Sequence, residues 1–184
     1  MLLHHNMTID AVALHLLDQP LADWIRGAGD HERRRFALAC AATTVAVAAR
    51  ASDGELGAIA GDLQELQRRI VAGGQRRELD RALDAHERSL AAQLAAARSA
   101  RSQEGSTFEY TRFRRLALVW YATRALRATL LDDSLIAAGR AAFTTIAATQ
   151  DEARVLGLTA ADATTRGEDD DKGTAEDDGR RGRA

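Results

Sequence analysis

The sequence predicts an all-α fold: a mostly antiparallel bundle of five to seven helices, followed by a disordered charged C-terminal tail. Three observations carry that expectation. About a fifth of the 184 residues are alanine, the aromatic content is 4%, and the one proline, Pro20, stands near the start. Alanine has the highest helix propensity and lets helix axes approach to about 8 Å. After Pro20 no proline interrupts a long helix. The length suits one domain whose core needs neither metal nor disulfide. Its expected division is an N-terminal helical arm over 1–29, a bundle over 30–165 and a tail over 166–184.

The arm begins with a short helix from Thr8 to about Asp18, and Pro20 suits the first turn of a second one ending at Gly27. Asp30 is the expected cap of the next helix, over 30–51. Its residues Phe36 to Ala49 form the most apolar run of the chain, hydrophobic all round and therefore central to the bundle. Fourteen residues fall short of the roughly 18 that a membrane span needs. Ser52-Asp-Gly-Glu55 has the spacing of a capping box and predicts a helix over 53–72. Leu56, Ile59, Leu63, Leu66 and Ile70 give it a seam spaced three and four, and Gly73-Gly74 ends it.

The longest helix is expected over 75–103, with Leu79, Leu83, Leu90 and Leu94 on one side. The two leucine seams suit one intrachain core or a homodimer interface. Gly105 breaks the chain, Ser106-Thr-Phe-Glu109 gives a second capping box, and a helix follows over 107–131. Asp132-Asp133 cap the last long helix, over 133–150, where Gly139 marks a close-packing point. A final turn is expected from Asp151 to Leu158. A shift of 80 residues aligns Arg34-Arg-Phe-Ala-Leu38 with Arg114-Arg-Leu-Ala-Leu118 and Asp53 with Asp133, a weak signal of two related helical hairpins in a sequence so rich in alanine and arginine.

Charge and cysteine usage narrow the function classes. Formal net charge is −2. The tail from Arg166 carries seven acids and five bases and has no large apolar side chain, which leaves the body neutral. A neutral body opposes strong non-specific nucleic-acid binding. Lys172 is the single lysine beside 24 arginines, a bias that GC-rich coding explains together with the alanine. Cys40 is the only cysteine, which rules out an intrachain disulfide and a multi-cysteine zinc site and points to the cytoplasm. The first seven residues lack the pattern of a secretory signal.

No catalytic constellation stands out. HExxH, Walker, GxSxG and Glu-x-x-His di-iron patterns are missing, and no cofactor or metal is expected. His86 reads as a core or edge histidine, not a general base or metal ligand. Asp80, Asp84 and Glu87 share one helix face, where nearby arginines account for them as ion pairs. The helix at 108–127 is the most distinctive segment: Phe108, Tyr110, Phe113, Trp120 and Tyr121, five of the eight aromatics, interleave with arginines. Its bland reading places the rings in the core and the arginines in solvent. Its functional reading makes Tyr110, Arg112, Arg115 and Arg127 the partner-binding residues of a non-enzymatic interaction protein: an adaptor, an immunity- or inhibitor-type protein, or a structural subunit, binding a protein partner or a second copy. The alternative is a nucleic-acid-associated subunit with Arg34, Arg35, Arg76, Arg77 and Arg114 as phosphate contacts. A ligand pocket near Trp120 and His86 ranks third.

Overall fold

The computed structural model describes residues 14, 16–104, 107–151, 154–155 and 157–159, with the backbone alone at 100–104 and 107–110. These form α1 (Gln19–Gly27), α2 (Asp30–Ala51), α3 (Gly54–Val71), α4 (Arg76–Glu104), α5 (Thr107–Thr129) and α6 (Ser134–Thr149). Leu14 and the described residues of 154–159 are also helical, and no strand occurs among the described residues. The fold is an all-α bundle. The expected tail, the Ser106 capping box and most of the first short helix lie outside the described residues.

Side-chain bonds at the helix ends set the directions. Near the start of α2, Arg34 donates to the backbone oxygens of Leu131 and Asp132, just beyond the end of α5. Near the start of α5, Arg115 binds Asp53, just beyond the end of α2. The two helices are therefore antiparallel. Arg127, late in α5, meets Asp80 and Glu87, early in α4, so that pair is antiparallel too. Asp30 accepts the Ser134 hydroxyl, start against start, and α2 and α6 run parallel. The result is a plain up-and-down order in which α2, α4 and α6 all oppose α5.

Helix α5 is the hub. It packs closely on α2, α4 and α6 and more lightly on α3, whereas α4 and α6 scarcely touch each other. Both leucine seams feed one intrachain cluster with Val45, Leu116, Val119 and Leu126. A second cluster joins α1 to α2 and α6 through Leu21, Ile25, Phe36 and Ala141, with Trp24 and Phe36 in ring contact at 5.0 Å. Gly139 takes the close approach expected of it, since a Cβ there would lie 3.2 Å from Leu14. The alignment by 80 residues matches helices but not packing, because α2 lies along α6 far more extensively than α5 lies along α3.

Several helix ends differ from expectation. Asp30 is the first residue of α2 and not its cap; the cap is Gly29, whose N–H donates to Glu32 at 2.7 Å, while Asp30 is taken by Ser134. The capping box at Ser52 does not form. Asp53 is the N-cap, α3 starts at Gly54, and Asp53 gives its carboxylate to Arg115 instead of to the helix. The Ser52 hydroxyl is buried with no partner among the described residues. Asp133 alone caps α6, accepting from Leu135 and Ile136, while Asp132 pairs with Arg76. Gly73-Gly74 does end α3. Gly73 is at φ 75°, Gly74 N–H donates to Arg69 O at 2.8 Å, and a Cβ on Gly74 would fall 2.9 Å from that oxygen.

Between α2 and α6 the core is polar at one point. The buried Thr44 and Thr145 hydroxyls meet at 2.8 Å, Thr44 lies 2.9 Å from Cys40 O, and Thr145 lies 2.8 Å from Ala141 O. Thr145→Val should lower stability by about 1–2 kcal/mol in urea unfolding, because it strips the link while leaving buried polar atoms behind, and Thr145→Ser should retain most of it. Burial pushes the neighbouring Cys40 thiol up to about 12, against a hydrogen bond from Thr145 that lowers it. A folded-state pKa raised this way favours the fold below the unfolded thiol's pKa and loses that contribution as pH rises toward 12. Folded protein should therefore leave Cys40 unreactive toward thiol reagents at neutral pH, and unfolding midpoints should fall above about pH 9.

Candidate functional site

The site grows from two helix faces and one gap. Asp80, Asp84 and Glu87 recur at helical spacing along the first half of α4, and Arg124 and Arg127 along the second half of α5. Because the helices are antiparallel, these faces meet. Arg127 reaches all three carboxylates, at 3.1 Å to Asp80, 3.1 Å to Asp84 and 2.7 Å to Glu87. Partial burial works against its charge, yet the hydrogen bonds to Glu87 and Asp80 outweigh that and hold its pKa above the ordinary arginine value. Arg124 lies 3.7 Å from Glu87 and stacks over the Trp120 ring, 4.7 Å from the centroid. Tyr121 leans on the same ring at 5.4 Å.

On the other side of α5 runs α6. Since α4 and α6 do not close over α5, a cleft of about 1030 Å³ remains between them. Trp120, Tyr121, Leu130 and Phe143 supply its apolar walls, and Leu16 overhangs it from the chain before α1. Arg76, Arg77, Asp132 and Arg140 also line it. Arg76 binds Asp132, and this hydrogen bond, more than the charges of Arg76 and Arg34, holds the exposed Asp132 carboxyl below the usual carboxylate range.

The expected site residues divide between the two ends of α5. Arg127, Arg76 and Arg77 line the cleft, and Arg34 braces the α5–α6 connection behind it, with Arg35 next in the chain and exposed. Arg115 is at the opposite end, 2.9 Å from Asp53, with Arg112 and Arg114 exposed nearby on the same helix. The side chain of Tyr110 lies outside the described residues. Arg115 and Arg127 are twelve residues apart, about 18 Å along the helix, so the expected constellation does not share one surface. Trp120 lines the cleft as the pocket reading anticipated, but His86 does not; it faces α3, 4.0 Å from Asp62. No group of three or more histidine, cysteine or acidic side chains among the described residues is arranged to hold a metal.

Sequence reasoning missed Arg140, Phe143 and Leu16 as site residues. Phe143 carried a signal: it is the one aromatic of α6, and 37% of its surface is exposed. Compared with known proteins, the chain matches no family model, no curated protein and no solved structure.

Removing Arg127 leaves three carboxylates facing one another. Arg127→Ala should cost roughly 1–2 kcal/mol at neutral pH, the sum of several half-exposed pairs. Arg112→Ala, at an exposed position, should leave the unfolding midpoint unchanged.

Proposed function

We propose that this is a non-enzymatic helical interaction protein of the cytoplasm, of the adaptor, inhibitor or structural-subunit kind, and that the cleft between α4, α5 and α6 receives its protein partner. One observation carries the proposal: an open cleft in which Phe143 and the 61%-exposed Leu16 stand beside half-buried Trp120 and Tyr121, with arginine and carboxylate side chains making up much of the rest of its lining. Aromatic and arginine side chains in a partly desolvated groove are the chemistry that dominates protein interfaces. A non-catalytic role is supported by the state of the reactive groups. The cleft's carboxylates Asp80 and Glu87 are tied to Arg127, and Cys40 is buried elsewhere. No helix among the described residues is long and apolar enough to cross a membrane.

Capture from the native host tests this directly. A protein retained by the wild type should be lost with Phe143→Asp or Arg124→Glu and kept with Arg112→Glu. Loss with Arg112→Glu alone would move the interface to the other end of α5.

A second reading, nucleic-acid association, is favoured by one feature: Arg34 and Arg76 both converge on Asp132, with Arg35 and Arg77 next to them in sequence. It requires the affinity for an oligonucleotide to fall with salt at a log-log slope of about −3 for three or four neutralised phosphates. A flat salt response removes it.

A further inference from the structure

The cleft has a complementary segment in its own chain. Five arginines face three carboxylates among its lining residues. Arg127 and Arg76 are engaged by neighbouring acids and Arg124 lies 3.7 Å from Glu87, while Arg77 makes no ion pair among the described residues. The strongest run of negative charge in the sequence, Glu168-Asp-Asp-Asp171, comes shortly after the last described residue and is followed at once by Lys172. We propose that this C-terminal acidic run occupies the arginine side of the cleft and competes there with the partner, an inference that rests on the cleft being the partner surface.

Reach and tethering both support it. Val155 is buried in the same cluster as Leu17 and Ala142, whose chain neighbours Leu16 and Phe143 line the cleft. Thr159 is nine residues from Glu168, a span of up to about 30 Å when extended. Exposed ion pairs are individually weak and screened by salt. A segment on a short tether, however, has an effective concentration on the order of millimolar, so a comparably weak intrinsic affinity suffices for half occupancy. Charge order is compatible as well: the four acids carry the charge opposite to Arg77 and Arg124, and Lys172 carries the charge opposite to Asp132. A partner bearing its own acidic or apolar segment would have to displace the run, and salt would release it.

Lys172, the only lysine, makes the contact testable in the intact protein. Zero-length carbodiimide coupling should join its amine to Asp132, Asp80 or Glu87, in the monomeric fraction and at a yield independent of protein concentration. The cross-link should disappear in 1 M salt and with Arg77→Glu plus Arg124→Glu. In a Trp24→Phe background, where Trp120 is the sole tryptophan, replacing Glu168 by Gln and Asp169 to Asp171 by Asn should increase acrylamide quenching of Trp120. Coupling confined to the tail's own acids, coupling to Asp53 at the other end of α5, a yield that rises with concentration, or unchanged quenching would overturn the proposal. None of these readouts involves the partner, so their failure leaves the capture experiment on Phe143 standing, and failure of that capture leaves the cross-link to be judged by itself.

Discussion

The structure depends on enclosing α5. Helices α2, α3, α4 and α6 all lean on it, and Leu116, Val119, Ala122, Ala125 and Leu126 are shut off from water almost completely. Covered on so many sides, the helix leaves the buried Trp120 indole N–H without a partner among the described residues, but most of its polar groups find one within the fold. Thr123 does so by donating back to Val119 O, Arg115 by binding Asp53, and Arg127 by binding three carboxylates of α4. The same bonds align the neighbouring helices, so the satisfaction of α5 and the antiparallel order of the bundle have one cause.

The cleft follows from unequal side chains around that hub. Alanine and threonine on the facing sides of α2 and α6 draw those two helices close to each other, with Thr44 and Thr145 in direct contact. Leucines and long charged residues hold α4 on a different flank. Between α4 and α6 the surface of α5 is left partly uncovered, and it is there that Trp120 and Tyr121 emerge. These two rings sit at the margin of the bundle, whereas Phe36 is buried in the second cluster against Trp24. Arg124 over Trp120 and Arg127 beside it thus serve both the core and the groove.

Features encoded within a turn or two of the chain were legible in the sequence. The leucine seams, the Gly73-Gly74 stop, the Asp133 cap and the close approach at Gly139 all follow from local spacing or from a residue's own geometry. Features decided across helices were not. Ser52 has the spacing of a capping box, yet a distant residue, Arg115, claims Asp53 and the local motif does not form. Arg127 reads from the sequence as a partner contact or a solvated arginine because its three partners lie 40 to 47 residues earlier, as the bonds to Glu87 and Asp80 show. Arg76 and Arg34, widely separated in sequence, meet only at the corner after α5. The candidate site is made of such pairings, and Phe143, the lone aromatic of α6, was its clearest trace in the sequence.

Amide hydrogen exchange, resolved by residue, tests the central role of α5 most directly. Amides from 116 to 128 should be the slowest in the protein, opening only with global unfolding, with α2 and α6 next and α3 ahead of them. Exchange of 116–128 before α2 and α6 would contradict it, since the helix that supports both the core and the cleft would then be the first to let go.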